Sequence, residues 1–77
     1  MSQRDLVHVT IALGRLAGGA AGVGVATADV DEAIGRGRGD MRTPLNLESL
    51  VEQGYVERLE DGRWALTPAG AERVAEA

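Results

Sequence analysis

Arg42, Asn46, Ser49 and Gln53 recur at steps of four, three and four residues. At about 100 degrees per residue, a helix would bring the last three within about 40 degrees of Arg42. Pro44, Leu47 and Val51 would fall on the opposite, apolar side. The stripe thus offers guanidinium, amide and hydroxyl tips. These are the groups that read base edges in the major groove: Arg pairs with guanine, Asn and Gln with adenine, Ser with either. Arg42, Asn46 and Ser49 are therefore the candidate base readers. The competing account is an ordinary solvated face, although such faces are usually richer in Lys and Glu. Glu48 and Glu52 flank the stripe and would repel phosphates on that side.

Other residue patterns that could carry chemistry do not complete a site. The glycines between Gly18 and Ala26 invite a phosphate cradle, but a P-loop needs a lysine and the chain has none. A dinucleotide fingerprint needs a βαβ unit, which this pattern does not supply. Asp29, Asp31 and Glu32 crowd the start of one predicted helix, where the helix dipole accounts for them without a metal. His8 is the single histidine, beside Arg4 and Arg15, and reads as a surface residue. Arg38-Gly39-Asp40 spells an adhesion motif, which an Arg- and Gly-rich sequence produces by chance. No nucleophile, base and orienting group occur together, so an enzyme is not expected, and neither is a cofactor or metal.

The candidate readers need a helix, and the sequence supplies one. Helix 3 should run to about Gln53, starting from a cap at Asp40 or at Thr43 followed by Pro44. Leu47, Leu50 and Val51 give its buried face, and Gly54 stops it. Before it, Ser2 to Ala17 reads as helix 1, with Ser2 and Asp5 as a capping box and Leu6, Val9, Leu13, Leu16 and Ala17 as the apolar stripe. Val7, Ile11, Gly14 and Gly18 form a second, shallower stripe, suited to packing against the last helix or to a dimer contact. Val23-Gly24-Val25 reads as a short strand. Thr27 to Gly35 reads as helix 2, capped by Thr27, with Val30, Ala33 and Ile34 inward. After helix 3, residues 55–60 and 63–66 read as strands joined by Asp61-Gly62. A two-residue turn there needs positive φ at both positions. Trp64 and Leu66 share one face and read as core. Thr67 and Pro68 then cap a last helix, with Val74 and Ala71 inward.

A helix that ends at a glycine, runs into a hairpin and then into another helix resembles the winged helix-turn-helix domains of bacterial and archaeal transcription regulators. The residues that carry the resemblance are Leu47, Leu50, Gly54, Tyr55 and Val56, then Asp61-Gly62-Arg63-Trp64, Leu66-Thr67-Pro68 and Gly70. The resemblance implies an α+β fold, mainly α, in the order helix, strand, helix, helix, strand, strand, helix. The whole of 1–77 would be one domain, with the helix-turn-helix over about 27–54 and the wing over about 55–67. Helix 3 would enter the major groove. Arg36, Arg38, Thr43 and Arg63 would hold phosphates, and the short strand would pair with the base of the wing. The turn at residues 35–40 is longer than is usual in the family by about two residues.

The implied function is sequence-specific binding of double-stranded DNA by a small transcriptional regulator, working as a homodimer through helix 1 or helix 4. The charge balance points the other way. The net charge is −4, whereas DNA-binding domains of this size are mostly basic. Residues 35–46 are locally basic, with three arginines against one aspartate, which leaves −6 for everything else. The alternative is a winged helix that docks a protein partner through its acidic surface. The chain lacks cysteine and any apolar run long enough for a signal peptide or membrane span, so a cytoplasmic protein without disulfides is expected.

Overall fold

In the computed structural model, which describes residues 3–76, four helices surround a two-stranded antiparallel sheet. They are α1 (Gln3–Leu16), α2 (Thr27–Ala33), α3 (Arg42–Glu52) and α4 (Pro68–Glu76); the strands are β1 (Val56–Arg58) and β2 (Trp64–Leu66). The capping box expected at Ser2 lies outside the described residues. Val56 pairs with Leu66, Glu57 with Ala65 and Arg58 with Trp64.

One hydrophobic core joins all the helices to the sheet. Leu6, Val9 and Leu13 of α1 meet Val30 of α2, Leu47 and Leu50 of α3, and Val56, Trp64 and Leu66 of the hairpin. The spacing of the α1 and α3 residues, three or four apart, is what puts them on one face. Leu16, Ala33 and Val51, all expected inside, lie on the surface. Leu16 closes the last turn of α1, where the chain is already turning away. Val51 is rotated past the edge of the buried stripe that ends in Leu50.

The strand expected at Val23–Val25 is reduced to a single bridge. Val25 exchanges backbone hydrogen bonds with Trp64, at 2.8 and 2.9 Å, while Val23 is 41 % exposed. Thr27 was expected to cap α2, but its hydroxyl instead accepts the Trp64 indole N–H at 2.7 Å. That bond satisfies a buried polar atom and fixes the indole against α2.

The hairpin connection is also longer than two residues. The Leu59 N–H meets the Arg63 carbonyl at 2.8 Å, which leaves Glu60, Asp61 and Gly62 as the loop. Only Gly62 has positive φ, at 87°. A three-residue loop needs just one left-handed residue, so Asp61 avoids the strain that a two-residue turn would impose.

The expected stops and starts at the other end of the sheet are present. α3 ends at Gly54, where the Tyr55 N–H reaches back to the Leu50 carbonyl at 3.0 Å. The Thr67 hydroxyl accepts the Gly70 N–H at 3.1 Å, a cap on α4, and donates to the Gly54 carbonyl at 2.6 Å. One side chain thereby ties the start of α4 to the end of α3.

Candidate nucleic-acid interface

The stripe of α3 that was expected to face outward is split by the fold. Thr43, Asn46, Leu47 and Leu50 are its buried residues, at spacings of three, one and three. Asn46 is 2 % exposed and Thr43 is fully buried. Both are held by Arg36, whose Nη1 donates to Thr43 Oγ1 at 3.0 Å and to Asn46 Oδ1 at 2.9 Å. Nη2 of the same guanidinium lies 3.7 Å from Asp5 of α1. Arg36 is thus an internal clamp joining the α2–α3 turn to α3 and α1, with its side chain 10 % exposed.

This arrangement corrects three expectations. Asn46 is not placed to read a base, and neither Arg36 nor Thr43 is placed to hold a phosphate. The physical reason is that a buried amide and hydroxyl need hydrogen-bond partners, and the guanidinium fork supplies donors to both at once. The sequence marks Asn46 as a base reader and Arg36 and Thr43 as phosphate contacts, and nothing in it joins the three; the contact among them is visible only in the fold.

The turn that carries Arg36 is braced from below. Asp31 is buried, its Oδ2 accepts the Gly39 N–H at 3.2 Å, and its carbonyl accepts the Arg36 N–H at 2.8 Å. Asp31 therefore shapes the loop. No group of three or more metal-binding side chains occurs among the described residues.

The remaining candidates are on or near the surface. Ser49 is half-buried. Arg38 is exposed and pairs with Glu32 at 3.2 Å. Arg63 is exposed, 3.7 Å from Asp61. Arg58, on β1, lies 3.8 Å from Glu48 of α3 and 5.2 Å from the centre of the Trp64 ring. Exposed pairs of this kind contribute little and exchange readily with other partners.

Arg42 is 66 % exposed but forks onto Asp40, with Nε at 3.1 Å from Oδ1 and Nη2 at 2.7 Å from Oδ2. Asp40 Oδ1 also accepts the Arg42 backbone N–H at 2.9 Å, but the residue that flanks α3 is Met41, which offers no side-chain cap, so neither Asp40 nor Thr43 caps the helix as expected. The Arg42 side-chain and backbone bonds hold the Asp40 carboxyl well below the usual carboxylate range. Conversely, Asp40 raises the Arg42 pKa. A carboxyl depressed by folding stabilises at pH above its unfolded value, near about 4, and that contribution disappears as pH falls through the folded value. In a carboxyl-carbon NMR titration, Asp40 should stay ionised well below the usual carboxylate range. Arg42→Ala should return it to the ordinary range; an Asp40 that titrates in that range in the native chain would refute the fork.

The side of α3 that does face outward was not anticipated. Met41 just before the helix, then Leu45, Glu48 and Glu52, follow at steps of four, three and four and are all exposed. Met41 is 73 % and Leu45 52 % exposed, so this face is half apolar and half acidic. Its signal was available in the same helical spacing, because Leu45 lies on the far side of the helix from Leu47.

Comparison with protein-family models, with curated proteins and with solved structures finds no match to this chain. The described helices include none long and apolar enough to cross a membrane.

Proposed function

We propose that the chain is a winged helix-turn-helix module that recognises a protein partner through the outward face of α3. Support for the winged reading comes from the order of elements. Two helices joined by a turn are followed by a hairpin and a closing helix, and the Val25–Trp64 bridge stands where the family has its first strand. The observation that carries the function is the exposed stripe of Met41, Leu45, Glu48 and Glu52, set against the internal burial of Asn46 and Thr43. Apolar side chains beside carboxylates suit an apolar patch rimmed by Arg or Lys. They do not suit a phosphate backbone.

Leu45→Asp tests this reading. Leu45 is largely exposed, so thermal stability should be unchanged while a partner captured by the native chain is lost by tenfold or more. That partner should itself carry apolar residues with a basic rim. Retention of every partner by Leu45→Asp would reject the proposal.

DNA binding is the second reading, and one observation favours it. Arg38, Arg42, Arg58 and Arg63 are all exposed, on the α2–α3 turn, α3 and the hairpin, and their surface ion pairs could be traded for phosphates. On this reading the chain is a transcriptional regulator that pairs as a homodimer on a two-fold site. A selection from random duplex DNA at low salt separates the two. A recovered motif, with affinity falling steeply as salt rises, would displace the protein-docking proposal.

A further inference from the structure

The arginines divide into two groups. Arg36, Arg38, Arg42, Arg58 and Arg63 face carboxylates, and Arg73 lies over the Tyr55 ring and donates to its hydroxyl. Among the described residues, Arg4 and Arg15 are paired with neither an acid nor a ring. In a chain of net charge −4, two arginines left unpaired on one helix are an exception to the pattern.

α1 brings them to one side. Arg4, His8, Ile11 and Arg15 follow at steps of four, three and four, so their side chains rise from one face. His8, Ile11 and Arg15 border a hollow of about 340 Å³ between α1 and α2. Its other walls are Ala12, Ala33 and Ile34. The floor is therefore aliphatic, and Arg15 is the cation on the rim. The volume falls within the range of small-molecule sites, about 300–1,000 Å³. By contrast, the hollow between α1, α3 and α4 holds only about 50 Å³.

We propose that the α1–α2 hollow binds a small organic anion, a carboxylate carried on an aliphatic body. The body lies on Ile11, Ala12, Ala33 and Ile34, and Arg15 takes the carboxylate in its two-pronged donor geometry. His8 stands on the same rim. The acids on the neighbouring elements are engaged elsewhere or outside the hollow. Glu32 is turned to Arg38 at 3.2 Å, Asp5 lies 3.7 Å from Arg36, and Asp29 sits one turn before Ala33 without lining the cavity. This site is independent of the outward face of α3, so its fate does not decide the docking proposal.

The test is an amide NMR titration of the full chain at pH 7 with sodium octanoate. Shifts should saturate and cluster at His8, Ile11, Ala12, Arg15, Ala33 and Ile34. For a ligand of about ten heavy atoms, half-saturation near about 1 mM is expected. Arg15→Gln should weaken binding about tenfold, while Arg63→Gln on the distant hairpin leaves it unchanged. Both variants alter exposed residues and should keep the native melting temperature. N-Acetyl-leucyl-leucine, as a second arm, distinguishes a peptide carboxylate from a free acid; tighter binding of either one assigns the source. Octylammonium has the same body with the opposite charge and should not shift these residues. Equal shifts with octylammonium, unchanged octanoate affinity in Arg15→Gln, or no saturation by either carboxylate would overturn the proposal.

Discussion

Arg36→Met should lower the unfolding free energy by about 3 kcal/mol and the melting temperature by on the order of 15 °C. Methionine keeps the apolar stem and removes the charged fork. It leaves Asn46 Oδ1 and Thr43 Oγ1, both in buried residues, without the donor that Arg36 supplies at 2.9 and 3.0 Å. Stranding buried acceptors costs more than the net worth of the bonds themselves. The loss is large relative to the marginal stability of so short a chain. Lysine in place of Arg36 should recover part of the loss, because one ammonium cannot copy the planar fork. The double variant Arg36→Met with Asn46→Leu should be more stable than the sum of the single effects predicts, since the stranded amide is gone. Chemical and thermal unfolding of the native chain, the three single variants and the double variant reads this directly. The result also bears on function. An Arg36 that served to hold phosphate would be dispensable for stability, so an unchanged melting temperature would return it to the DNA-facing surface.

The same cluster shows what was legible in the sequence and what was not. Helix positions, the stop at Gly54, the cap at Thr67 and the burial of Trp64 and Leu66 could be read from spacing and residue type. These are local features, fixed by backbone geometry and by apolar periodicity. The orientation of Asn46 does not follow from residue type, because an amide is as stable inside as outside where a partner meets it. Its position gave a different answer. Thr43, Asn46, Leu47 and Leu50 together keep the spacing of a buried helical stripe, with two polar residues in it. A polar residue on such a stripe implies a partner, and the partner, Arg36, lies ten residues earlier across a turn whose path the sequence does not dictate. The hairpin loop and the shortened first strand escaped for a related reason. The Asp-Gly pair signals a reversal, but loop length depends on the pairing of Leu59 with Arg63. At the other edge, whether residues 23–25 extend as a strand depends on how long they run beside β2.

Gly70→Ala should be the most damaging change of a single methyl group in the chain, costing about 3 kcal/mol or more. Intrinsic helix propensity argues the other way, since alanine is favoured over glycine by about 1 kcal/mol within a helix. Sterics decide the sign. A Cβ on Gly70 would overlap the Tyr55 carbonyl, which is backbone, and would press on a Leu66 methyl at 3.2 Å. That carbonyl also accepts the Thr67 N–H at 3.1 Å, at the junction where α4 is tied to the end of α3. It cannot retreat without breaking the tie, so α4 must lift away from the core. Gly14→Ala should be milder. The three atoms nearest its Cβ all belong to the Val74 side chain of α4, the first at 2.5 Å, so a side chain and not backbone must give way. Gly37→Ala meets nothing within 4 Å and should be neutral or slightly stabilising, by restricting the unfolded chain. Melting temperatures should therefore fall in the order Gly37→Ala, Gly14→Ala, Gly70→Ala. A Gly70→Ala chain that melts with the native protein would mean that α4 does not sit on the Tyr55 backbone, and the closing helix of the fold would have to be placed elsewhere.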